Sequence, residues 1–559
     1  MTISKKNKGY SNAEVEKILK KQKIVFSFWN CSSTRDDPYQ MWYLPLKELF
    51  EKAILFDPRK ERFIHGSEKM NELFFELIEK EKPDYVFTNV RRDEQTIETM
   101  EKVREISPKT KIIAFSGDDD KDFEPLKRYQ ALFVDCTFIT QPDWIEKYYK
   151  DGIKNAFYSF SINTNLFRPM NLEKIYDVTF IGKPLKPRIN QLNFLIKNGI
   201  NLKIFGRGWG NYPEFEKNYL GALETEDMIK MINQSKINLS LLKNEYGKLH
   251  FKGRVLMFPS CKSFSLTEYF DKCLKFFKNN KEIIMFKDDN DLLEKIKYYL
   301  KHEKEREKIA ENSHLKVADS HNVLKDFKNL FKKIMENPEI FSAKRPEIKE
   351  KIITLGEKDM DKSDKEIEKI VHRYDYISFS EGNSLALDYK DYLQAYSLKK
   401  TGKNISCCDY YVYDNVLGNY LMTNVYKASR TLEKDKFNQA ISINQIAVAK
   451  SYFLKNIKKF KSFFNGKVVD IVDEKNTCFI SIPLVRIKKL GKIDSDLLSS
   501  SFFHKNFALE SYFLFKQKKL FTSRYFYRLM YLMIKKPVFA KAFIKYLKDK
   551  KNWKNATSL

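Results

Sequence analysis

The 559-residue chain has no two cysteines spaced as Cys-x-x-Cys, and its seven cysteines, Cys31, Cys136, Cys261, Cys273, Cys407, Cys408 and Cys478, make an odd number. That excludes a zinc ribbon and argues against a disulfide framework, leaving buried reduced thiols. Glycine and proline are scarce, at 18 and 16 residues, so the chain is neither fibrous nor of low complexity. No apolar run follows the opening MTISKKNKGYSNAEVEK, so no signal peptide is expected, and no stretch of eighteen apolar residues reads as a membrane span. A cytoplasmic location follows as the expectation. Acidic residues are in deficit, and the net charge of +28 asks for an anionic ligand, membrane or nucleic acid. No zinc-finger, helix-turn-helix or ribonucleoprotein signature accompanies the charge, which disfavours nucleic acid as the partner. Hydrophobic residues, in contrast, make up 43% of the chain, with 45 Phe and 31 Tyr. At one domain per roughly 100–200 residues, the length suggests about three domains with sizeable cores.

After a polar lead-in (1–22), short apolar runs at 23–29, 83–90, 110–117 and 136–140 alternate with helical patterns such as 70–82 and 95–107. A second series follows Arg168-Pro169, with strand-like runs at 176–182, 202–206, 236–242 and 281–286 and a long helical stretch at 291–318. Alternation of this kind predicts parallel sheets covered on both faces, whose ligands bind at the carboxyl ends of the strands. The expected fold class is α/β, with two Rossmann-like lobes at 23–168 and 169–335. A charged linker (336–370) and a C-terminal α/β or α+β domain (371–559) with a basic helical tail follow.

The stretch Phe251 to Phe286 carries Lys252-Gly253-Arg254, then Leu266-Thr267-Glu268-Tyr269, then Lys281-Glu282-Ile283, and a Glu/Arg-rich helix through Glu305-Arg306 follows. The order and spacing resemble the C-terminal lobe of the GT-B glycosyltransferases, within them the CgeB-like group, over about eighty residues. The resemblance implies a nucleotide-sugar donor bound in the second lobe and an acceptor over the first. A donor of that kind leaves as a diphosphate, and Lys252 and Arg254 beside a helix N-terminus suit the developing charge without a metal or other cofactor. The resemblance puts Glu268 on the donor ribose and Leu266 and Thr267 in the donor loop. It puts Gly182, Lys183 and Arg188 on the phosphate side, and Tyr219 and Gly221 at the base. The turn Ser260-Cys261-Lys262-Ser263 departs from the glycines usual in the group. In the first lobe, Asp118, Asp119 or Asp120 is the candidate base for the acceptor hydroxyl, with Asp36 and Asp37 as further candidates. A turn or N-cap role accounts for the three aspartates equally well. His250, beside the basic motif, reads as a structural histidine, and the Gly cluster at 206–210 as a plain turn.

Residues 371–559 weakly resemble the latter part of a family-2, GT-A-like glycosyltransferase. The metal-binding Asp-x-Asp position reads Ser380-Glu381-Gly382-Asn383, and this implies a degenerate domain that binds acceptor, a partner or a second copy of the chain. Asp388, Asp391 and Asp409 read as solvated surface rather than metal ligands. From 501 to 559 there are 14 basic and 2 acidic residues. The segment 521–536 is amphipathic, basic and aromatic, which suits docking on its own domain or an anionic membrane surface. The function expected is transfer of a sugar to a polysaccharide, glycolipid or protein acceptor, in the cytoplasm or at the inner face of the membrane. The alternatives are a nucleic-acid-binding or DNA-modifying protein and a non-catalytic scaffold.

Overall fold

The computed structural model describes residues 9–487 apart from 30, 32–37, 92–93, 245–246, 344, 381–383, 415–418, 423–444, 465–471 and 474. The first sheet holds β1 (Lys23–Ser27), β2 (Lys52–Phe56), β3 (Tyr85–Thr88), β4 (Lys111–Ser116), β5 (Cys136–Ile139) and β6 (Ala156–Tyr158) in the order β2-β1-β3-β4-β5-β6. All its strands run parallel. Successive side chains of a strand point to opposite faces, so each apolar run feeds two cores. Ile24, Phe26, Phe87 and Ile113 fill one, and Val25, Val86 and Ile112 the other.

The second sheet comprises β7 (Tyr176–Ile181), β8 (Leu202–Phe205), β9 (Ser235–Ser240), β10 (Ser265–Glu268) and β11 (Ile284–Phe286), ordered β11-β10-β9-β7-β8 and again parallel throughout. The strand order reverses between β7 and β9, which opens a crevice at their carboxyl ends. The two sheets are the two Rossmann-like lobes of a GT-B architecture.

The lobes do not end where the sequence pattern put them. The helix Val323–Glu336, expected in the second lobe, returns to the first, where Phe327, Leu330, Phe331 and Ile334 complete the core around Phe26 and Phe87. These positions fall on one stripe of a 3.6-residue helix, wide enough to cover a sheet face. The lead-in is not featureless either. The helix Asn12–Leu19, opened by a Ser11–Glu14 capping box, adds Val15 and Leu19 to the same core, and Glu16 pairs with Lys328 at 2.7 Å.

The third sheet is mixed. It contains β12 (Ile352–Leu355), β13 (Tyr376–Phe379), β14 (Ser384–Ala386), β15 (Ile405–Asp414), β16 (Asn419–Met422), β17 (Ile446–Ala449) and β18 (Thr477–Ile487). The order is β12-β13-β17-β15-β18-β14, with β16 beside β15. The segment 336–370 is therefore more than a linker: β12 pairs in parallel with β13, and the helix Asp364–Val371 covers it. Of the residues read against the metal motif, Ser380 follows β13, while Glu381, Gly382 and Asn383 lie outside the described residues, as do Asp36, Asp37 and the segment 521–536. Asp391 is engaged within the domain, accepting from Ser378 at 3.0 Å, and Asp409 is buried in the sheet rather than solvated. No helix among the described residues is long and apolar enough to cross a membrane.

Candidate active site

The crevice between β7 and β9 is built on backbone contact. A Cβ on Gly206, after β8, would lie 2.4 Å from the carbonyl oxygen of Gly182, after β7, so only glycine lets these two loops touch. Gly206 also has a φ of +119°, in the region that favours glycine. The buried Trp209 indole donates to the Gly182 carbonyl at 2.7 Å. The Gly cluster at 206–210 is thus a structural turn that fixes the loop after β7.

Two guanidiniums converge on that loop. Arg188, in the first turn of the helix Lys186–Lys197, donates to the carbonyls of Lys183 at 3.2 Å and Lys243 at 3.4 Å. Arg254 begins the helix Arg254–Ser260. A Cβ on Gly182 would lie 2.8 Å from Arg254 Nη2 and 3.3 Å from Arg188 Nη1, so glycine leaves room for both. Both stack over the Phe180 ring, Arg254 at 5.2 Å and Arg188 at 5.8 Å from its centroid. The Nη1 atom of Arg254 is buried with no hydrogen-bond partner among the described residues. Burial, and then the neighbouring Arg188, push its guanidinium down to about 9. A buried cation left in this state is costly unless an anion joins it. Of the other expected phosphate-side residues, Lys183 is exposed and Lys252 half-buried.

Glu268, expected on the donor ribose, has partners within its own lobe. At the end of β10 and 3% exposed, its Oε2 accepts from the backbone N–H groups of Leu242 and Lys243 at 2.9 and 3.1 Å. Its Oε1 lies 2.5 Å from Lys243 Nζ. Its carboxylate shapes the turn whose Lys243 carbonyl accepts from Arg188. Leu266 and Thr267 form no loop: both are buried in β10 between β9 and β11, because a central parallel strand has no solvent face. Tyr219 is half-buried and bridges to Ile204, and burial raises its hydroxyl above the usual range. Gly221, with φ +102°, accepts from Gly206 N–H at 2.9 Å, so both expected base-side residues run alongside β8 and the turn that follows it.

Across from this crevice, the three aspartates of the first lobe separate. Asp119 is 0% exposed and accepts from the Ser116 and Tyr148 hydroxyls at 2.7 and 2.8 Å. It locks the loop after β4 and has no access to an acceptor. Asp118, with φ +54°, and Asp120 reach instead to the second lobe, where they flank His250. Asp118 Oδ1 lies 3.4 Å from His250 Nε2, and Asp120 Oδ1 lies 3.1 Å from Nδ1. One ligand atom from each of the three lies within 4.8 Å of the others, a spacing that suits a metal ion. With a carboxylate at each ring nitrogen, the arrangement also suits a doubly hydrogen-bonded imidazolium, since a cation reaches only one nitrogen of a ring. Nothing in the sequence paired His250 with aspartates some 130 residues away; its place two residues before Lys252 was the sole signal.

Residues 188–331 match the family model described as glycosyl transferase-like. The match spans most of the second lobe and shows it to be similar to a glycosyl transferase-like domain. No curated protein matches the chain. Similar solved structures include sucrose-phosphate synthase from Thermosynechococcus elongatus, at 11% identity and a TM-score of 0.40, covering 56% of this chain and 99% of that one. HepE of Anabaena, determined with UDP-glucose, matches at 8% identity and a TM-score of 0.41 over 56% of this chain and 99% of its own. A glycosyltransferase from Rickettsia africae matches at 13% and 0.39 over 57% and 98%.

Proposed function

We propose that this protein transfers a sugar from a nucleoside-diphosphate sugar to a polysaccharide, glycolipid or protein acceptor, with its own cations rather than a metal stabilising the leaving diphosphate. The observation that carries this reading is the buried Arg254 guanidinium, set beside Arg188 on the Phe180 ring at the point where the strand order reverses. Two cations pressed together in a crevice form a preorganised receptor for two negative charges. As the glycosidic bond breaks, charge grows on the diphosphate, and the guanidiniums stabilise that charge more than the ground state. Tyr219 and Gly221 take the base, and Lys183 and Lys252 supply further positive charge. The acceptor lies over the first lobe, near Asp118 and Asp120. With a lipid-linked acceptor, the enzyme works at the inner face of the membrane, with 521–536 as the contact.

Calorimetry with UDP, GDP, ADP, CMP and dTDP and their sugar conjugates, with and without a chelator, tests the proposal. Binding of one nucleoside diphosphate that survives the chelator is the expected result. Absence of binding by every nucleotide overturns the reading, and binding only with a divalent ion overturns its metal-independent form.

A further inference from the structure

We propose that the seam between the two lobes is a divalent-cation site: His250 Nε2 of the second lobe and the Asp118 carboxylate of the first hold a Zn2+ or Mn2+ ion between them, and Asp120 orients the imidazole through its other nitrogen. None of these residues belongs to the Arg188–Arg254 pair, so the site stands independently of the glycosyltransferase reading.

The two ring nitrogens of His250 are not equivalent. Nδ1 lies 3.1 Å from Asp120 Oδ1, an ordinary N–H···O distance. Nε2 lies 3.4 Å from Asp118 Oδ1, beyond that range. A histidine nitrogen and a carboxylate oxygen, each about 2.0–2.2 Å from one ion, stand about 3.3–3.6 Å apart when the angle at the ion is tetrahedral. Gln141 indicates which nitrogen is bare. Its amide nitrogen donates to the Phe251 carbonyl at 3.3 Å, and the same nitrogen lies 3.4 Å from His250 Nε2. A donor facing Nε2 makes that nitrogen the acceptor, so the ring proton sits on Nδ1, toward Asp120. Nε2 then turns its lone pair to a carboxylate oxygen, and a cation between them converts a repulsion into two bonds. A carboxylate on the far nitrogen is the usual device for fixing the tautomer and orientation of a metal-bound imidazole.

The surroundings suit an ion that bridges the lobes. His250 is 6% exposed, whereas the Asp118 side chain is 63% exposed, so the ligand set is anchored on one side and open on the other. Asp119, between the two aspartates of the site, accepts from Ser116 and Tyr148 and holds their loop in place. One imidazole nitrogen with a carboxylate oxygen, and no thiolate, fits Zn2+ or Mn2+ better than the all-oxygen demands of Mg2+ and Ca2+. The open side keeps coordination positions for water or a hydroxyl. On the glycosyltransferase reading these positions face the acceptor, while the leaving diphosphate stays with Arg188 and Arg254.

The test is Mn2+ titration of the nucleotide-free full chain followed by electron paramagnetic resonance, with Zn2+ as competitor and thermal unfolding as the control for folding. Wild type is expected to bind Mn2+ with a nitrogen coupling in the pulsed spectrum, and Zn2+ to displace it. His250→Gln is expected to lose the nitrogen coupling, and both His250→Gln and Asp118→Asn to weaken binding at least about tenfold. Asp120→Asn is expected to keep the coupling and weaken binding about 10- to 100-fold, the effect of losing the carboxylate behind a ligating histidine. Absence of binding, binding without nitrogen coupling, or a coupling that survives His250→Gln overturns the proposal. If His250→Gln does not fold, unchanged affinity in Asp118→Asn overturns it instead. No nucleotide is present, so failure here leaves the donor proposal standing, and failure of nucleotide binding leaves the cation site standing.

Discussion

Arg254→Met exchanges stability against binding in a way that can be worked out. The guanidinium is held near 9, and at pH 7 it still carries its proton, so its burial is a cost to the ligand-free fold. Relative to its usual value of 12.5, that cost is at most about 5 kcal/mol at 1.36 kcal/mol per pH unit. The residue is partly exposed, and buried sites behave as if the effective dielectric were about 20, which reduces the figure to about 1–2 kcal/mol. Methionine has a similar length, keeps apolar contact with Phe180 and has no charge to bury. The ligand-free variant is therefore expected to melt a few degrees higher, about 2–4 °C per kcal/mol for a lobe of this size. A nucleoside diphosphate loses a charge-assisted hydrogen bond of about 1.5–3 kcal/mol, so its affinity falls about 10- to 150-fold. A nucleoside without phosphates has nothing to lose and binds as before. Differential scanning calorimetry reads the first effect and titration calorimetry the second. A variant that melts lower than wild type and binds the diphosphate as tightly refutes the reasoning, because Arg254 would then be a structural residue.

Gly206→Ala places a methyl against the Gly182 carbonyl and in a left-handed backbone region, so the second lobe is expected to lose about 2–4 kcal/mol and nucleotide binding with it. Thermal unfolding and calorimetry check both, and wild-type behaviour would mean the two loops do not touch. Glu268→Gln removes the charge opposite Lys243 while its amide oxygen can still accept from the Leu242 and Lys243 N–H groups, at about 1–3 kcal/mol of stability. Because its effect reaches the donor through Arg188, ribo- and 2′-deoxyribonucleotides are expected to weaken equally; selective weakening of the ribonucleotide would restore Glu268 to the ribose.

What was legible in the sequence follows from the physics of each element. Mostly buried parallel strands such as Lys111–Ser116 and Leu202–Phe205 show as short apolar runs, and these were read within a residue or two. The strand Lys52–Phe56 was missed because it lies at a sheet edge with only Phe56 buried. Ser265–Glu268 was missed because three of its four residues are polar, although all four are buried; only its neighbours β9 and β11 make it a strand. The basic motif pointed to Arg254 and the family resemblance to Arg188 and Gly182, and the structure brings those three together. Glu268 occupied the expected position but with backbone partners, since a carboxylate at a strand end finds the nearest unsatisfied N–H groups first. The link from Asp118 and Asp120 to His250 depends on how two lobes face each other, which no local pattern encodes.

The third sheet bears on the same site. The buried Leu393, Tyr396, Cys408, Ile480 and Val485 share one hydrophobic core with Phe123, Leu126, Tyr129, Leu132 and Phe133 of the first lobe. Tyr129 and Ser397 share a hydrogen bond at 2.8 Å, and Tyr396 donates to the Asp151 carbonyl at 3.1 Å. Each large apolar side chain buried there stabilises the contact by about 1.5–3 kcal/mol, so the first lobe and the third sheet form one body rather than two modules on a tether. The segment they share begins three residues after Asp120, at the base of the loop that reaches His250. A packed core transmits displacement rather than absorbing it. The third sheet therefore sets the position of the loop after β4 from behind while His250 meets it from the front, which on the proposed function gives a physical reason for the chain to carry a third sheet.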